Sequence, residues 1–181
     1  MAFQALLSYA REDAGTARWL LRRANGFRTP WSLTGTRGDF GPIQARIKLT
    51  PAERAHGEAG AWSFEESQAL IVVCNAAAAG DAQVNRDVDA FVSRGRMRLI
   101  VPVIAPNAPP ADDVERAFFP PALCGRGLFT IDLRERRLGD VLTGDGREGG
   151  WLKLAAALLG VDVARLAQQQ GRRQGARTAT F

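Results

Sequence analysis

Two short, unbroken apolar runs set the frame of this chain. ALIVVC at 69–74 and RLIVPVI at 98–104 are rich in β-branched residues and show little polar alternation. Continuous apolarity marks strands covered on both faces, as in a parallel sheet. Residues 82–94 between them read as a helix. The three pieces predict a βαβ unit with a right-handed crossover. Pro102 interrupts the second run, which fits best near that strand's C-terminal end. FQALLS at 3–8 predicts an earlier strand that closes in a polar turn. RIKL at 46–49 and LFTIDL at 128–133 predict two more.

Helical spacing appears after the first strand, where Ala14, Ala17, Leu20, Leu21 and Ala24 fall on one face. Asp13 is placed to cap that helix and Gly26 to end it. Arg22 and Arg23 lie at its C-terminal end, where cations are favoured. Residues 26–45 are rich in Gly and Pro and read as a long loop, of the kind that is functional or wraps a surface. Thr50, Pro51 and Glu53 carry a helix-start signature. Ser63 to Gln68 suggests another helical turn, and 112–118 a short helix. Residues 134–150 read as polar loop. WLKLAAALLG at 151–160 predicts a helix closed by Gly160, followed by a second. The apolar-poor end predicts a boundary near 168, with 169–181 a flexible basic tail.

Four or five strands alternating with helices predict an α/β fold, an open, mostly parallel sheet with helices on both faces. Ligands of such sheets bind at the carboxyl ends of the strands. The residues to watch are therefore Ser8, Tyr9, Ala10 and Arg11, then Cys74 and Asn75, then the helix that carries Asp87.

Composition narrows the field. The chain has 181 residues, which suits one domain. No apolar run reaches the length of about 18 residues needed to cross a bilayer. The start, MAFQALLSYARED, lacks a basic leader pattern, so a cytoplasmic protein is expected. Two cysteines, Cys74 and Cys124, fit a reduced compartment, and the lone histidine, His56, argues against a zinc cluster or a Cys-His nucleophile. The net charge is +5, and of 24 basic residues only Lys48 and Lys153 are lysines. Arginines cluster at 94, 96 and 98, at 134, 136 and 137, and at 172, 173 and 177. Interspersed acids, and the lack of aromatics alternating with these arginines, argue against a nucleic-acid surface. A P-loop nucleotidase is excluded by the absence of a Gly-Lys-Ser/Thr loop. A phosphoreceiver is disfavoured because the third strand ends in Cys74-Asn75 rather than Asp.

The residues resemble a known family. ALLSYAREDAGTARWLLRRANGFRTPWSLTG is similar to the opening of bacterial Toll/interleukin-1 receptor (TIR) domains. FGPIQARI resembles an insert of bacterial members. ESQALIVVCNAAAAGDAQVNRDVDAF resembles the family's third strand and following helix, and FFPPAL and WLKLAAALLGVDVARLAQQ also match in order. The resemblance runs from about residue 3 to 168. It implies a flavodoxin-like sheet and one of two activities, cleavage of NAD at the nicotinamide-ribose bond or signalling by assembly with other TIR domains. It implies no cofactor, with NAD as a possible substrate; the lack of a long apolar run implies no membrane partner. The family's catalytic Glu corresponds to Asp87, its Trp to Val84 and its Ser to Asn75. The segment over 48–67 is shorter than the family's.

A carboxylate at 87 could stabilise the oxocarbenium-like state of glycosidic cleavage. Asp has the charge but is one methylene shorter than Glu, and a misplacement of that order costs roughly a hundredfold in rate. The alternative is an exposed helix acid near Arg86, pairing with Arg94 or Gln83. Ser8 and Tyr9 either line a nucleotide pocket or simply end a strand. Arg11 either holds a phosphate or is solvated. Cys74 reads as an inert strand thiol, and Trp19, Trp62 and Trp151 as packing residues. Trp31, in the long loop, is the better candidate for ligand or partner contact. The reading is a TIR-like assembly module with weak or lost NAD cleavage. Its alternatives are an active NAD glycohydrolase using Asp87 and a basic nucleic-acid-binding protein.

Overall fold

The computed structural model describes residues 2–39, 41–52, 67–96, 99–135 and 144–178. His56, Trp62, Glu53 and most of the helical turn expected over 63–68 lie outside them. Five strands form one parallel sheet: β1 (Ala2–Ser8), β4 (Arg46–Pro51), β5 (Ala69–Cys74), β6 (Ile100–Ile104) and β7 (Ile131–Asp132). Their order is β4-β1-β5-β6-β7, and every pairing is parallel. This is the α/β, flavodoxin-like arrangement. From β1 the chain steps one way to β4 and then the other way to β5, so the strand order reverses between β1 and β5.

Burial explains the strand pattern. All six positions of β5 and all five of β6 are buried, as their unbroken apolarity requires. The edge strand β4 alternates, with Arg46 and Lys48 outward and Ile47 and Leu49 inward. Pro102 sits in mid-strand, opposite Val72, rather than at the strand's end. It is tolerated because β7 first pairs at Val103, beyond the position where Pro102 lacks a donor. β4 itself runs through Thr50 and Pro51, with Pro51 opposite Leu7. Thr50 and Pro51 thus lie in the edge strand, which accommodates the proline; a 3-10 turn begins at Ala52, and the rest of the helix expected there lies outside the described residues.

Helix α1 (Ala14–Gly26) follows β1, and α5 (Gly146–Leu159) follows β7. The two pack together through the edge-to-face pair of Phe27 and Trp151 and an Arg23–Glu148 ion pair. Between β5 and β6 lie a short α2 (Ala76–Gly80) and α3 (Ala82–Val92), and α4 (Val114–Phe118) follows β6. No element was read at α2; α5 begins five residues before the expected Trp151, and β7 is shorter than LFTIDL. Asp145 pairs with Lys153 of α5 and accepts from the Asp132 amide, which fastens the helix start to the end of β7.

The long loop after α1 folds back on the domain. Its β2 (Arg37–Gly38) and β3 (Gly41–Pro42) pair antiparallel. Asp39 N–H donates to Gly160 O, at the left-handed cap of α5 (φ 64°). Gly160 closes that helix as the sequence implied. Beyond it, α6 (Val163–Thr178) continues past the expected boundary at 168. Gln and Arg there favour the helix, and it runs on through Gly171 and Gly175, which do not. Among the described residues, no helix is long and apolar enough to cross a membrane.

Candidate functional site

The reversal between β1 and β5 is where an open α/β sheet leaves a crevice. Ser8 ends β1, and the turn Arg11–Asp13 leads from it into α1. Asn75 follows β5. These two loops flank that reversal, and α3 brings its acid to the same end of the sheet.

Asp87 is not an exposed helix acid. It is 1% exposed, and Ser8 Oγ donates to its Oδ2 at 2.6 Å. Gln83 Nε2, one turn earlier on α3, donates to Oδ1 at 2.8 Å. Arg86 in turn donates to Gln83 Oε1 at 2.7 Å. Of the two partners considered for Asp87, Gln83 donates to it; Arg94 donates to the Ala90 carbonyl. The reason is helical geometry. Val84, Asp87, Val88 and Phe91 are the buried residues of α3, and their spacing is one continuous stripe. Asp87 occupies a core position on that stripe, next to the end of β1.

A second buried pair ties the two loops together. Asn75 Nδ2 donates to Asp13 Oδ1 at 2.8 Å, and Asn75 Oδ1 accepts from the Ala78 amide, capping α2. Asp13 is 1% exposed. It stands at the N-terminus of α1 but makes no side-chain cap there. The expected role of Asp13 as a helix cap is therefore corrected, because its carboxyl turns inward to Asn75. Its Oδ2 is buried with no hydrogen-bond partner among the described residues. Burial, with added repulsion from Glu12, raises its carboxyl from the ordinary 3.8 to about 6.

The remaining candidates divide. Ser8 is buried and joins Asp87, and Tyr9 is half-buried against the core. Arg11 is exposed. Trp31 is 82% exposed and is not at the crevice. Helix α1 returns the chain to the amino ends of the strands, where Thr29 N–H bonds Ala45 O just before β4 and Ser32 bonds Gln169 of α6. Trp31 thus lies at the opposite end of the sheet from Ser8 and Asp87. Cys74 is fully buried, and burial pushes its thiol far up, as expected of an inert strand cysteine. Trp151 packs as read, and Trp19 lies under Arg147. Several arginines of the basic clusters are engaged within the chain: Arg134 with Asp132, Arg96 with Ser67 O and Arg94 with Ala90 O.

Sequence reasoning missed Asp13 as a site residue. Its signal was position, five residues past Ser8 in the loop that leaves β1. No cluster of metal-ligating residues occurs among the described residues. The class defined by fold and site is an open parallel α/β protein with two buried acids at its strand-order reversal. No protein-family model matches the chain, and no curated protein matches it.

Proposed function

We propose that the chain is a TIR-like signalling and assembly module in which NAD cleavage is weak or lost. One observation carries the reading: Asp87 is 1% exposed and both its oxygens accept hydrogen bonds from within the protein. A carboxylate that stabilises an oxocarbenium-like state must face the ribose. The Asp87 oxygens instead face Ser8 and Gln83. The shorter acid fits this role, because it reaches the end of β1 from a core position of α3. Assembly with other TIR domains is the activity left to the resemblance, and exposed Trp31 supplies an apolar contact away from the crevice. The two free cysteines suit a cytoplasmic setting.

Incubation of the purified protein with NAD, with nicotinamide release followed by chromatography, tests the reading. No release above buffer is expected, including at high protein concentration. Robust release that Asp87→Asn abolishes overturns it. Asn is the right control because it keeps the size of the buried side chain.

A second reading, an active NAD glycohydrolase, draws on the location of Asp87 beside Ser8 at the strand-order reversal. It requires the α3 stripe to shift so that the carboxylate meets substrate. Under it, Asp87→Glu raises the rate of nicotinamide release. Inactivity of both forms, even when self-assembled, counts against it.

A further inference from the structure

We propose that the Asp13–Asn75 hydrogen bond is a proton-sensitive tie between the turn after β1 and the start of α2, and that loss of the Asp13 proton favours an opened arrangement of the two loops. The geometry is that of a latch. One side chain, Asn75, holds the turn after β1 through Asp13 Oδ1 and holds the start of α2 through the Ala78 amide. Its amide orientation follows from these two bonds, since one end must donate and the other accept. The two loops thus share a buried connection between residues 62 positions apart in the chain.

The acid at its centre is poorly suited to carry charge. Asp13 is 1% exposed, and its second oxygen has no hydrogen-bond partner among the described residues. The titratable groups that act on or face it are Glu12, on its own turn, and the Cys74 thiol at the end of β5. Neither supplies a positive charge. The Asn75 amide favours the carboxylate, but one neutral donor does not offset burial, and the carboxyl titrates at about 6. A buried, unpaired carboxylate drives its surroundings toward any state that admits water. The neutral acid, whose buried O–H costs far less than a buried charge, has a much weaker drive. The closed arrangement of the two loops is therefore favoured below about pH 6, and an opened one gains population above it.

The size of the effect follows from linkage. If opening returns Asp13 to its ordinary 3.8, the opening equilibrium rises about tenfold between pH 5 and pH 8. Amide hydrogen exchange of the full chain reads this directly. The reporters are the Ala78 amide, bonded to Asn75 Oδ1, and the Asp13 amide, bonded to Ala10 O. After correction for intrinsic exchange, protection at both sites is expected to fall about tenfold from pH 5 to pH 8. In Asp13→Asn it is expected to stay flat. Protection that does not change with pH in the unsubstituted protein, or an equal fall in Asp13→Asn, overturns the proposal. Should Asp13→Asn fail to fold, the carboxyl carbon of Asp13 in the unsubstituted protein decides by its NMR titration. A midpoint near 6 sustains the tie, and a midpoint near the ordinary 3.8 ends it.

Discussion

The Ser8–Asp87 hydrogen bond makes a quantitative claim about how α3 is held to β1, and a double-mutant cycle measures it. Both residues are at most 2% exposed, and the bond is 2.6 Å long across 79 residues of chain. Ser8→Ala removes the hydroxyl and leaves Asp87 Oδ2 without that donor in a dry position. A hydrogen bond to a carboxyl in such a place is worth about 2 kcal/mol. Asp87→Ala removes the acceptor for Ser8 and Gln83 and opens a small void, at about 3 kcal/mol. In the double variant there is no orphaned partner left for Ser8. Its total is expected to be about 3 kcal/mol rather than the sum, giving a coupling of about 2 kcal/mol.

Urea unfolding at pH 7, followed by circular dichroism, supplies all four corners of the cycle. Equal slopes against urea are required for the comparison to hold. Each kcal/mol lowers the melting temperature by about 2–4 °C in a domain of this size. Ser8→Ala should thus melt about 4–8 °C lower. Coupling below about 0.5 kcal/mol would falsify the buried bond and, with it, the claim that the Asp87 carboxyl is held inside the protein. The nicotinamide assay is independent of this cycle, so loss of folding is never mistaken for loss of chemistry.

Three more outcomes follow from the same structure. Because the folded Asp13 carboxyl is raised above its unfolded value, its favourable contribution is complete below pH 3.8 and is lost as pH rises through about 6. Asp13→Asn removes that loss. Its stability relative to the unsubstituted protein should rise by about 1.5 kcal/mol between pH 5 and pH 8, measured by urea unfolding at both. Gly160 has φ 64°, and a Cβ there would lie 2.6 Å from the Asp39 nitrogen. Gly160→Ala should therefore cost about 2 kcal/mol or more by thermal melting, and a loss under about 0.5 kcal/mol would contradict the docked loop. Cys74 is fully buried and Cys124 half-buried. Iodoacetamide followed by mass spectrometry should label Cys74 only after unfolding, and labelling of native Cys74 at a rate equal to Cys124 would refute its placement in the core.

What could be read from the sequence was local, and what escaped was set by distant partners. The strands β5 and β6 were legible because burial on both faces leaves an unbroken apolar run, and Gly160 because a helix that must stop needs a left-handed residue. At Thr50-Pro51 a capping signature and a proline at a sheet edge look the same until the neighbouring strand is known. Asp13 misled. An acid before a helix is a cap by default, and only Asn75, brought alongside by the β1–β5 pairing, turns it inward.

Asp87 differs, since its placement was written in the sequence and overlooked. Val84, Val88 and Phe91 define the buried face of α3, and 87 lies on that face by spacing alone. An acid on an apolar stripe is either unstable or partnered. The stripe could say that a partner was required but not that it would be Ser8. That distinction bears on function. Family resemblance marks position 87 as the place for a reactive carboxylate, while the buried bonds give the same side chain a sufficient structural reason to exist. A carboxylate kept only for chemistry would need a face open to ligand, whereas one kept for packing needs both oxygens satisfied inside. Asp87 meets the second condition, through Ser8 and Gln83.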